Sequence, residues 1–90
     1  MNLSDLFAHL EAEFDIDIPE DAEETLPCVR DVRDYIRDCY RDRGMNMPAV
    51  AIFERLRRAI ARWAKIDGTK IEPQTKLVDL LPKSDMLIWG

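Results

Sequence analysis

Leu3, Leu6, Phe7, Leu10 and Phe14 recur every three or four residues, the spacing of one apolar stripe on a helix. Asn2 stands where an N-cap belongs. The pattern then changes. Asp15-Ile16-Asp17-Ile18 alternates and Pro19 follows, so the first helix is predicted to end near Phe14. Pro19, with Glu20 and Asp21 behind it, suits the start of a short helix, because the helix dipole favours anions in the first turn. A turn or two is expected over PEDAEE.

A second long stripe runs through Val29, Val32, Tyr35, Ile36, Cys39 and Tyr40. Pro27 suits its first turn and Gly44 the position just past its end. Arg-Asp pairs at 30, 33, 37 and 41 are expected to cover the solvated side, with contacts such as Arg30 to Asp34. After a short connection, in which Asn46 or Met47 could cap and Pro48 could open the first turn, a third stripe reads Val50, Phe53, Leu56, Ile60 and Trp63. Arg55, Arg57, Arg58, Arg62 and Lys65 cover the remainder, and Asp67-Gly68 is the expected stop. The stretch TKIEPQTKLVDLLP reads as a long loop pinned by Ile71, Leu77, Leu80 and Leu81. Ser84 could cap a short terminal turn. No internal repeat or strong strand signal occurs. The expected class is therefore all-α, a small four-helix bundle formed by residues 1–90 as one domain.

With 47% hydrophobic and 34% charged residues, the chain suits a soluble globular domain. No apolar run reaches the ~18 residues needed to span a membrane. MNLSDLFAHL has no basic leader, so no secretory signal is expected. Cys28 and Cys39, on one helix, would lie about 16 Å apart along its axis, too far for a disulfide. They do not form a CxxC motif, and a cytoplasmic location is expected.

Charge changes the picture more. Residues 1–44 carry thirteen carboxylates against five arginines, a net −8. Residues 45–90 carry eight basic side chains against five acidic ones, a net +3. The acidic half argues against nucleic acid as a partner and favours a basic protein. The basic helix FERLRRAIARWAK is read as a core stripe with solvated arginines rather than a membrane-surface helix. His9 is expected off the first stripe, at an edge, and has no companion for a zinc site. Glycines do not cluster into a phosphate loop. No catalytic constellation emerges, and no enzyme is expected.

The run from Leu6 to Ile36 resembles the second half of an acyl carrier protein. Glu13-Phe14, Ile16-Asp17-Ile18-Pro19 and Asp34-Tyr35-Ile36 match that family's helix end, acidic elbow and last helix without a gap. Residues 1–43 are thus similar to carrier helices two to four. Residues 49–90 are similar to carrier helix one and its loop, through Thr75, Leu77 and Leu80-Leu81. The halves stand in permuted order. One chain could close the bundle as a circular permutant, two chains could exchange halves into a homodimer, or two partial modules could meet in one chain.

The resemblance implies one serine carrying 4'-phosphopantetheine, and docking on the basic face of a partner enzyme or synthase. The implied docking residues are Glu11, Glu13, Asp15, Asp17, Glu20, Asp21, Glu23 and Glu24. Counting along the loop places the serine at or beside Ser84. There the text is KSDM, with the acid after the serine, where the family has D-S-L. Ser4 falls one turn too late in the other half. The alternative is a protein–protein interaction or assembly module of the same fold that carries no cofactor.

Overall fold

The computed structural model describes residues 2–81. Helix α1, Leu3–Phe14, forms where the first stripe predicts it, and all five stripe residues are buried. Its start is a reciprocal cap. The Asn2 side chain accepts the Asp5 N–H at 3.0 Å, and the Asp5 carboxylate accepts the Asn2 N–H at 3.4 Å. Two first-turn amides that the helix cannot satisfy internally are thereby paired.

Helix α2 is a single turn, Ala22–Thr25, with Ala22 fully buried. Helix α3, Val29–Asp42, buries Val29, Val32, Ile36 and Tyr40, with Tyr35 and Cys39 half-buried at its flanks. It begins later than Pro27 suggests, because Cys28 is the N-cap. Its end is as expected: Gly44 takes φ 81°, the left-handed conformation that glycine adopts without a Cβ clash. On its polar side Asp34 pairs with Arg33 at 3.0 Å and Arg37 at 3.8 Å, and Asp38 with Arg37 at 3.8 Å and Arg41 at 3.7 Å. The expected partner Arg30 is exposed and instead donates its backbone N–H to the Pro73 carbonyl. These exposed or half-exposed pairs contribute about 0–1 kcal/mol each.

Helix α4, Ala49–Ala64, corrects the sequence reading in three places. Its buried face is Ile52, Leu56, Ala59, Ile60 and Ala64, while Val50 is 68% exposed. Phe53 and Trp63 flank the core rather than forming its centre. The N-cap is Pro48 itself, and the helix stops at Lys65, φ 58°, before Asp67-Gly68 is reached. Beyond it come two 3-10 turns, Gly68–Lys70 and Leu77–Leu80. The pins hold as expected, with Ile71, Leu77 and Leu80 buried and Leu81 half-buried.

The described chain is all-α with four helices, three of them substantial, and no strand; Cys28 and Lys76 form one isolated bridge. Helix α4 lies against both α1 and α3. Leu6, Leu10, Val32, Ile36, Leu56 and Ile60 share one buried cluster, and Phe53 packs against it. One chain therefore completes this core from its own two halves. The late loop also fastens α3. Val29 and Arg30 donate their N–H groups to the carbonyls of Thr75 and Pro73, at 2.9 and 2.8 Å. Leu77 returns a bond to the Pro27 carbonyl at 2.9 Å. These partners satisfy first-turn donors that α3 cannot satisfy itself.

Candidate docking surface

The acidic elbow begins where α1 ends. Asp15 caps α1 in the left-handed region, φ 55° and ψ 53°, and its N–H reaches the Glu11 carbonyl. Asp tolerates that conformation better than most side chains. From there burial alternates along the chain. Ile16 is buried and Ile18 half-buried, whereas Asp15 and Asp17 are exposed. The alternation of DIDI is thus one strip of backbone laid on the core without a sheet partner.

Such a strip needs partners for its polar groups, and side chains supply them. Arg55 on α4 donates to the Glu13 carbonyl at 2.9 Å. The Tyr40 hydroxyl donates to the Phe14 carbonyl at 2.9 Å. Arg43 donates to the Asp15 carbonyl and Tyr35 to the Asp17 carbonyl. On the other edge, the Glu11 carboxylate accepts the Ile18 N–H at 2.9 Å. Two helices distant in sequence therefore hold the main chain, while the acidic side chains point outward. Arg55 also lies over the Phe14 ring, 4.9 Å from its centroid, which fixes its guanidinium. None of these four clamps is evident from the sequence. The available signal is that tyrosine and arginine at a half-buried boundary need acceptors for their polar ends.

The eight expected docking residues separate into three groups. Asp15, Asp17, Glu20, Asp21, Glu23 and Glu24 are exposed along the elbow and α2. Glu11 is half-buried and braces Ile18. Glu13 is also half-buried and faces away from the elbow, into a groove of about 250 Å³ lined with Arg55, Arg58, Ala59 and Arg62. A smaller depression of about 170 Å³ opens beside the elbow, lined by Ser4, Phe7, Glu11, Ile18, Pro19, Glu20 and Glu23.

Tyr35 is the elbow holder with a displaced titration. Burial raises its phenol above the usual value, and the neighbouring Cys39, Asp17 and Glu11 push the same way. The phenol stays protonated and remains a donor. Asp67, remote from the elbow, has its carboxyl lowered by the hydroxyl and N–H of Thr69, which it accepts at 2.7 and 3.0 Å.

Ser84 lies outside the described residues. Ser4 is the only serine among them, and its hydroxyl faces the Glu23 carboxylate at 3.4 Å. His9 is half-buried at the edge of α1, and its Nε2 has no hydrogen-bond partner among the described residues. No group of three or more metal-binding side chains occurs among those residues. No helix described is long and apolar enough to cross a membrane. No family model, curated protein or solved structure matches the chain.

Proposed function

We propose that this chain is a docking module similar to acyl carrier proteins, which presents its acidic elbow to the basic face of a partner enzyme or synthase. The observation that carries the reading is a cluster of six exposed carboxylates, Asp15 to Glu24, that begins on a main chain held between Glu13 and Asp17 by four side-chain clamps. A held main chain loses little entropy on binding, and the clustered charge speeds encounter with a basic surface. The order of elements also favours a permuted carrier arrangement. The half that resembles carrier helix one and its loop fills the gap between α1 and α3 and caps the start of α3.

Charge reversal tests the docking. A short arginine-rich peptide is the probe, with association rate measured against salt. Reversing Glu20, Asp21 and Glu24 to lysine should slow association at least ~10-fold, and the same change at exposed Asp79 should leave it within ~2-fold. Equal effects at both places would reduce the elbow to general acidity.

Cofactor carriage is a separate part of the proposal. Were the chain a carrier, Ser84 would be the attachment site, its oxygen taking the phosphopantetheine phosphate from coenzyme A as adenosine 3',5'-bisphosphate leaves. Incubation with coenzyme A and a broad-specificity phosphopantetheinyl transferase should add one such arm to the intact mass, and Ser84→Ala should abolish the gain. An unchanged mass in the parent chain leaves the alternative, an interaction module of this fold that carries nothing. The acid following Ser84 rather than preceding it favours that second reading.

A further inference from the structure

We propose that the basic surface fitted by the acidic elbow includes the α4 groove of a second copy of this chain, so that two intact bundles form a two-fold dimer without exchanging halves. This rests on the elbow being a docking surface and names one partner for it.

The arrangement of side chains around α1 carries the inference. At ~100° per residue, Leu6 and Leu10 face the core, and the opposite direction is that of Ala8 and Ala12. Both alanines are exposed. On one side of them lie Ser4, Phe7 and Glu11, which border the elbow. On the other lies Glu13, which borders the groove of Arg55, Arg58 and Arg62. One face thus presents, in order, a strip of carboxylates, the two small residues Ala8 and Ala12 with Asp5 and half-buried His9 beside them, and a strip of guanidiniums.

Such a face is complementary to itself. A two-fold axis close to the direction of α1, tilted from it by half the angle at which the two helices cross, brings Ala8 and Ala12 onto their counterparts. The same rotation sets the elbow of each copy opposite the arginines of the other. Both charged contacts form together, and the symmetry closes at two copies. Helices that cross at an angle diverge from the crossing point, so the two Asp5 carboxylates, a turn before Ala8, stay apart.

The arginines are partly oriented in advance. Arg55 is held by the Glu13 carbonyl and Phe14 ring, and Arg58 Nε by the Glu54 carbonyl at 3.4 Å. Each guanidinium has further N–H groups for a carboxylate. The net charge of −5 per chain opposes association at long range. At ~0.1 M salt, where the Debye length is ~10 Å, that repulsion is screened more than charge pairs in contact.

The test is a charge swap. One variant carries Arg58→Glu and Arg62→Glu, which makes both flanks of Ala8 and Ala12 acidic. The other carries Asp17→Lys, Glu20→Lys, Asp21→Lys and Glu24→Lys, which makes both flanks basic. Sedimentation and light scattering of the full chain at about 1 mM, where contacts of ~1 mM Kd are half formed, should give more than the monomer mass of 10.5 kDa. The association should vanish at ~1 M salt. Each variant alone should associate at least ~10-fold more weakly, and an equimolar mixture should form a heterodimer as tight as the parent or tighter. Ala12→Gln should weaken the parent dimer by separating the helices. Far-UV circular dichroism checks that each variant is folded.

A parent chain that stays monomeric, a dimer indifferent to salt, or a mixture that fails to pair would overturn the proposal. Binding of the arginine-rich peptide to the elbow distinguishes the two readings. A monomer that still binds the peptide leaves docking standing and removes only self-association. A monomer that ignores it removes both.

Discussion

Tyr40 shows how much one hydroxyl does here. Its ring is in the core, and its oxygen closes the Phe14 carbonyl at the point where α1 stops. Removing a partner from a buried carbonyl costs more than the bond itself contributes. Tyr40→Phe should therefore destabilise by about 1–3 kcal/mol in urea unfolding with an unchanged m-value. Tyr35 adds a pH signature. Its folded phenol titrates above the unfolded one. Its contribution is fully present below the unfolded value of about 10, and it is lost as pH rises through the higher folded value. Tyr35→Phe should lower stability near neutrality and flatten the fall above about pH 10, as followed by urea midpoints. The role of either tyrosine could be suspected from the sequence only as a polar end in search of an acceptor. The acceptors are carbonyls 26 and 18 residues away, and no local spacing encodes that pairing.

Helices α1 and α4 differ in how far their burial could be read. In α1 the large apolar residues fall on one face only, so its direction is unambiguous. In α4 the run Ala49-Val50-Ala51-Ile52-Phe53 is apolar throughout, so periodicity cannot fix which side turns inward. Packing against two helices at once decides for Ile52 and leaves Val50 in solvent. This makes a sharp comparison. Leu56→Ala should cost about 2–5 kcal/mol, while Val50→Ala should stay within about 0.5 kcal/mol, measured by the same unfolding assay. Comparable losses would mean that α4 sits rotated from the position described.

The two halves of the chain depend on each other across the whole molecule. The loop carrying Ile71, Leu77 and Leu80 enters the core and also supplies acceptors for the start of α3. Leu77→Ala should cost about 2–5 kcal/mol. It should also expose the amides of Val29 and Arg30 to faster hydrogen exchange than those in the middle of α1, because the acceptor loop is released before the core opens. Uniform exchange across α1 and α3 would show instead that loop and bundle open as one unit.

The order of charges, the four helical segments, the α1 stripe and the loop pins are properties of local sequence, because each depends on neighbours within a few residues. They determined an all-α chain with an acidic elbow between its first two helices. The rotation of α4, the use of Glu11 and Glu13 as half-buried partners, and the clamping of the elbow by Tyr35, Tyr40, Arg43 and Arg55 were decided only when distant segments met. Hydrogen-bond acceptors and core volume are shared between elements, so their allocation exists only in the assembled molecule.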